Sequence, residues 1–150
     1  MKKFFTFITC IAAAIFIAVK ICFAAAAISV LPESVTNGNN LTFSWSGVTN
    51  PTNWDWVGIY YKDSGYEGEP LDWFYTSTCN QSEGWSAKAS GSCNYFIDED
   101  YYPGEYTAIL FSNDDYYDIA TSNVFEIMGA ELSLSSNSVS PGGQITVSWS

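Results

Sequence analysis

The sequence contains no histidine and no arginine, and its five lysines face sixteen acidic residues. Each shortage excludes a kind of chemistry. Without histidine there is no Ser-His-Asp or Cys-His nucleophile system, and the usual zinc-ligand sets are missing. Without a cationic face the chain cannot displace counterions from nucleic acid or from an anionic membrane surface, so neither is an expected partner. Long hydrophobic runs are also scarce: the one clear example is at the very start.

That run opens with "MKK" (1–3), continues through "FFTFITCIAAAIFIAV" (4–19) and ends in the small-residue stretch "CFAAAA" (22–27). A positive start, an apolar centre and small residues suited to cleavage are the pattern of a secretory signal peptide. The reading is a leader over residues 1–26, cut after Ala26. Lys20 interrupts the apolar stretch and leaves it short for a bilayer crossing. The expected location is therefore secreted, extracellular or cell-surface, with no membrane insertion after cleavage. Lys2, Lys3 and Lys20 leave with the leader. Lys62 and Lys88 then stand against all sixteen carboxylates, two positive against sixteen negative, for a formal charge of −14.

Two cysteines remain after the leader, Cys79 and Cys93. An even pair in an exported chain is expected to form a disulfide. A metal site would need more ligands than two sulfurs. No metal and no cofactor is expected.

Past residue 27 there is no sustained helical periodicity. Short alternating runs recur between turn signals, the pattern of an all-β sandwich. "LTFSWS" (41–46) sets Leu41, Phe43 and Trp45 on one face and Thr42, Ser44 and Ser46 on the other. "ISVL" (28–31), "WVGIYYK" (56–62), "LDWFYTSTC" (71–79), "GSCNYFI" (91–97), "EYTAILFS" (105–112) and "TSNVFEI" (121–127) bring the number of expected strands to seven. Seven strands are what an immunoglobulin-like or fibronectin-type sandwich requires. Tyr106, at the start of the sixth, is placed either to make the corner hydrogen bond of such folds or simply to pack.

The chain also contains a second copy of its own beginning. "ISVLPESVTNGNNLTFSWS" (28–46) aligns without gaps on "LSLSSNSVSPGGQITVSWS" (132–150), with Val35 on Val139, Gly38 on Gly142, Thr42 on Thr146 and Trp45 on Trp149. The domain reading is a sandwich over 28–128, followed over 129–150 by the first strands of a second, truncated copy. Two strands alone cannot bury a core. The expected partners therefore begin with neighbouring domains of the same chain.

The ordered set "FSWSGV", "DWVGIY", "PGEYTAILFSND" and "ATSNVFEI" resembles the β-sandwich module that precedes the metallophosphatase domain of plant-type purple acid phosphatases and recurs in other secreted multidomain proteins. The resemblance covers roughly residues 28–128. It implies a fold similar to fibronectin type III, no catalytic residues, and a role as scaffold, spacer or interaction surface. Where relatives tend to carry glycine after the Asn-Asp pair, this chain has Asp115. The Cys79/Cys93 pair also differs from the inter-sheet bridge of antibody domains. It is expected to join the strand ending at Cys79 to the one starting near Ser92.

Within "WDWVGIY" (54–60), alternation puts Val57 and Ile59 on the core face and Trp56 and Tyr60 on the other. Trp73 and Tyr75 fall the same way on the next strand. If the two strands are neighbours, Trp56, Tyr60, Trp73 and Tyr75 form an outward aromatic patch across Gly58. Three uses compete for it: cross-strand packing first, contact with a neighbouring domain second, and a flat sugar-binding platform third. The acidic runs "DED" (98–100) and "NDDYYD" (113–118) lack the interleaved spacing of a calcium loop and read as charged turns. Nothing marks one carboxylate pair for glycosidase chemistry. Asn40 and Asn80 stand in glycosylation sequons.

The resulting expectation is a non-catalytic extracellular module for spacing, adhesion or interaction in a larger secreted protein. The alternatives are an N-terminal accessory domain of a secreted metallophosphatase or other hydrolase, and a carbohydrate-binding module using exposed aromatics on a polysaccharide.

Overall fold

The computed structural model describes residues 25–64, 68–129 and 132–149. The expected leader lies outside the described residues except for Ala25 and Ala26. Every regular element among the described residues is a strand. In chain order these are β1 (Ala27–Leu31), β2 (Ser34–Thr36), β3 (Asn40–Ser46), β4 (Trp56–Tyr61), β5 (Asp72–Tyr75), β6 (Gly91–Phe96), β7 (Gly104–Ser112), β8 (Tyr117–Thr121), β9 (Phe125–Met128), β10 (Leu132–Leu134) and β11 (Val147–Trp149).

Two sheets form a sandwich-like arrangement. One has the order β1-β3-β6; the other has the order β2-β9-β7-β4-β5, with β8 also paired to β7. The alternation in β3 has the expected consequence: Leu41, Phe43 and Trp45 are buried while the residues between them are not. From the small sheet, Val30, Leu41, Phe43 and Cys93 enter the core; from the large one, Val57, Ile59, Phe74, Leu110, Phe125 and Ile127 meet them. Phe43 touches three other rings edge-on, with centroids 5.4 Å from Phe74, 5.8 Å from Tyr95 and 5.9 Å from Phe125. This is the offset geometry that aromatic quadrupoles favour.

All seven expected strands are present, and two more appear. β2 is three residues long and runs parallel to β9, pairing Val35 with Ile127. β8 pairs antiparallel with β7 across a register shift between Leu110 and Phe111. Neither carries enough alternation to stand out in sequence. The strand expected over 71–79 is shorter, because the chain turns after Tyr75: the Cys79 N–H donates to the Tyr75 carbonyl at 2.8 Å, with Cys79 at φ 62°.

Cys79 and Cys93 are disulfide-bonded, with Cα atoms 5.5 Å apart. The bridge ties the turn after β5, in the large sheet, to the middle of β6, in the small one. Asn123 makes a second cross-link at the opposite edge: its amide accepts from the Val30 N–H at 2.9 Å and donates to the Val30 carbonyl at 3.0 Å. The Tyr106 hydroxyl donates to the Tyr102 carbonyl four residues upstream, and the ring is buried as well.

Among the described residues, β10 and β11 pair only with each other. Their register is Leu132 with Trp149, Ser133 with Ser148 and Leu134 with Val147. Moved back by the repeat offset, these are the pairs Ile28–Trp45, Ser29–Ser44 and Val30–Phe43 of β1 and β3. Gly38 and Gly142 share the left-handed backbone too, at φ 83° and 85°, a conformation that glycine adopts without steric cost. Burial is what differs. Val30, Val35, Leu41 and Phe43 are core residues, whereas Leu134, Val139, Ile145 and Val147 are 39% to 54% exposed.

The disulfide closes a short loop, and replacing both Cys79 and Cys93 by alanine is expected to lower the unfolding free energy by about 3 kcal/mol in the chain-entropy account. Urea denaturation of the double variant measures this; an unchanged midpoint would refute it.

Candidate functional site

The aromatic residues singled out in sequence do come together. In β4 the pairing sets Trp56 opposite Tyr75 of β5 and Phe111 of β7, and Gly58 opposite Trp73 and Ile109. Trp56 stacks on Phe111 at 4.3 Å and meets Trp73 edge-on at 6.3 Å, while Trp73 meets Tyr75 at 5.1 Å. They lie on the face of the large sheet away from the main core, as alternation requires.

They do not form the outward patch that was expected. Trp56, Tyr60 and Tyr75 are buried, and with Ile109 and Phe111 they make a second core; Trp73, packed against it, is partly exposed. The physical cause is a cover. Residues 113–118 fold back over the sheet and place the Tyr116 ring 5.4 Å from Trp56 and 5.7 Å from Phe111. A flat platform is therefore not what these four rings present.

Hydrogen bonds to the start of β4 hold that cover in place. The Trp56 indole N–H donates to the Asp115 carbonyl at 3.2 Å, and the Asp114 N–H to the Trp54 carbonyl at 2.9 Å. The Tyr75 hydroxyl donates to the Asp114 carboxylate at 2.9 Å. Burial, with Asp114 next in effect, raises the Tyr75 phenol to about 12. Asn113 and Asp114 both take left-handed backbone, at φ 54° and 56°, which Asn and Asp tolerate better than most residues.

Beneath the cover sits Asp55, 1% exposed. Its carboxylate accepts from the Thr52 N–H at 2.9 Å, the Thr52 hydroxyl at 2.7 Å and the Asn113 N–H at 3.1 Å. Its carbonyl accepts from the Thr76 N–H and hydroxyl, at 2.9 and 3.1 Å. Three loops thus converge on one aspartate, set between two tryptophans and marked by no local sequence signal.

Asp72 does comparable work at the other end of β5. It accepts from the Gln81 amide at 2.9 Å, the Trp73 N–H at 2.8 Å and the Tyr95 hydroxyl. Burial, ahead of the bonds to Asp72 and Tyr101, pushes the Tyr95 phenol well above its ordinary range.

An open cavity of about 220 Å³ remains beside the cover, lined by Trp56, Glu69, Pro70, Trp73, Asp114 and Tyr116. Two of these, Trp56 and Trp73, belong to the expected patch. Asp114 and Tyr116 were not foreseen at this place, because "NDDYYD" reads as a solvated turn until its return over the sheet is known, and nothing in the sequence around Glu69 marks it. Trp85, fully exposed in the segment between β5 and β6, was not singled out either. Asn40 and Asn80 are both exposed. No group of three or more histidine, cysteine or acidic side chains positioned to hold a metal occurs among the described residues.

Two substitutions test this description. A Cβ on Gly58 would stand 2.7 Å from the Tyr60 ring and 2.9 Å from Trp56, so Gly58→Ala is expected to destabilise by about 1–3 kcal/mol through overpacking; a Tm equal to the parent's would contradict it. Asp55→Ala leaves the partly buried Thr52 and Asn113 N–H groups without this carboxylate as acceptor and is expected to cost about 3 kcal/mol. Asp55→Asn should recover part of that loss in the same urea titration, and equal losses would show that its acceptor role is unimportant. A scan against protein-family models and a search of curated proteins return no match to this chain.

Proposed function

We propose that this chain is a non-catalytic extracellular β-sandwich module, one unit of a tandem series, that spaces or presents neighbouring domains of a larger secreted protein. The observation that carries this reading is the repeated hairpin. Residues 132–149 reproduce the sequence pattern, the strand register and the glycine turn of β1 and β3, and each of the four exposed apolar positions named above corresponds to a core position of the first copy. A surface hairpin with no further role would not keep apolar residues at those places.

The strand order supports an immunoglobulin- or fibronectin-like class. A three-stranded sheet β1-β3-β6 faces β2-β9-β7-β4-β5, and Tyr106 makes its corner bond at the start of β7. The disulfide is compatible with an oxidising, extracellular setting. No helix among the described residues is long and apolar enough to cross a membrane. The deeply buried carboxylate Asp55 is engaged in holding loops, and the two tryptophans on either side of it serve the second core and its rim. This favours a scaffold over a reactive site.

The module reading requires residues 27–129 to fold without the hairpin. Calorimetry of that fragment is expected to give a single transition within about 3 °C of the chain carrying residues 27–150, the shift expected for well under 1 kcal/mol. Limited proteolysis should trim the segment beyond residue 129 first. A large loss of Tm on removing the hairpin would make it part of the first sandwich and defeat the tandem reading.

A further inference from the structure

A strand at the edge of a sheet offers a row of unpaired N–H and C=O groups, and native proteins blunt such edges with charge, proline, short length, a bulge or a covering group. In β5 the two N–H groups that point away from β4 are both capped, Trp73 by the Asp72 carboxylate at 2.8 Å and Tyr75 by the Asn80 carbonyl at 2.9 Å. β2 is three residues long and lies just after Pro32. β8 carries Asp118 and meets β7 across the register shift. In the small sheet, β1 is closed by the Asn123 amide, which takes both the N–H and the carbonyl of Val30.

β6, the other edge of the small sheet, has none of these devices. Its sequence "GSCNYF" contains no charge and no proline, and it pairs with β3 without a register shift from Gly91 to Phe96. Just beyond the strand, the Ile97 N–H donates to the Asn39 carbonyl at 2.9 Å and the Ile97 carbonyl accepts from the Gly38 N–H at 2.7 Å. Main-chain groups alternate sides along an antiparallel strand, so those of Ser92, Asn94 and Phe96 point to the free side. The disulfide stands near the first of these, with Cys79 Sγ 3.7 Å from the Ser92 carbonyl. Among the described residues nothing bonds the outward N–H or C=O of Asn94 and Phe96, and both residues are exposed.

We propose that β6 pairs antiparallel with β6 of a second copy of this chain, joining two three-stranded sheets into one of six strands. Asn94 opposite Phe96 of the second copy is a twofold-symmetric register, in which the outward main-chain groups of both copies satisfy one another. Two observations select a second copy over an unrelated strand. The first is that the ends of β6 carry opposite charge: Lys88 precedes the strand, and Asp98, Glu99 and Asp100 follow it. Antiparallel pairing sets the start of each strand beside the end of the other, so each lysine meets an acidic run. Among the described residues Lys88 makes no salt bridge, whereas Lys62 is held by Glu105. The second is that the outward positions of β1, β3 and β6 carry no charged side chain. A chain whose residues 27–150 have a formal charge of −14 therefore meets its copy where like-charge repulsion is least. This proposal does not rest on the tandem reading.

The test is sedimentation equilibrium of residues 27–150 from about 10 µM to about 1 mM, with amide hydrogen exchange measured at both ends of that range. The mass is expected to rise from one copy towards two with a Kd on the order of 100 µM, as befits a small interface, while exchange at Asn94 and Phe96 slows. Asn94→Asp keeps an acceptor for the Thr42 hydroxyl, which Asn94 accepts at 2.9 Å, and sets two like charges at the centre of the pairing. It should weaken association at least about tenfold. Lys88→Glu should weaken it about fivefold through the lost end contacts. Ser29→Asp makes the same charge change as Asn94→Asp, but on β1, and should alter the Kd less than about twofold. A single-copy mass throughout, or association without slowed exchange at Asn94 and Phe96, would overturn the proposal. So would equal losses in the Asn94 and Ser29 variants, or an association that survives Asn94→Asp and is lost in Val147→Ser, which would assign it to the hairpin.

Discussion

The structure depends on one strand that is buried on both faces. β4 lies between β7 and β5 in the large sheet, and every residue from Trp56 to Tyr60 is buried. Val57 and Ile59 face the small sheet and complete the main core. Trp56 and Tyr60 face the other way, where a sandwich of two sheets ordinarily meets water. Large rings on that side need a cover, and the 113–118 segment is the cover. The bulge at Leu110/Phe111, the left-handed Asn113 and Asp114, and the return into β8 follow from it. Gly58 is the other half of the arrangement. With no side chain between Trp56 and Tyr60, the two rings close over it.

The acidity of the chain acquires a structural meaning from this arrangement. A formal charge far from zero favours solubility and repels copies of the chain from one another, but several of its carboxylates are also components of the fold. Asp55 collects three loops, Asp72 joins β5 to Tyr95 of the opposite sheet, and Asp114 fastens the cover to Tyr75. With no histidine, no arginine and two lysines after residue 27, backbone N–H groups and tyrosine hydroxyls act as the donors in place of cations. That explains the pairing of many tyrosines with many acids: a phenol inside the protein stays neutral, hydrogen-bonds a carboxylate and adds packing area at once.

Much of the frame was legible because a strand with one buried face writes its period into the sequence. "LTFSWS" and "FEI" alternate cleanly, and their inward residues are Leu41, Phe43, Trp45, Phe125 and Ile127. β2 and β8 were not legible, since three paired residues or a largely exposed strand carry too little pattern. For β4 the alternation gave the sides correctly and the exposure wrongly. A period of two tells which residues share a face but not what lies on it. Asp55 escaped notice for the same reason. Its partners Thr52 and Asn113 are brought to it by two different turns, and no local signal announces a buried carboxylate.

The repeated hairpin separates what a short segment encodes from what a domain encodes. Register and turn are local properties: glycine at the left-handed position and serine opposite serine set β10 against β11 as they set β1 against β3. Burial is not local. Phe43 is enclosed because Phe74 and Phe125 arrive from the other sheet, from strands 31 and 82 residues further along the chain. Val147, at the equivalent place, has the same strand partnership and, among the described residues, no opposing sheet, and is exposed. Since burial of apolar surface is the dominant favourable term in folding, a correctly registered pair of strands is a template for a core rather than a core.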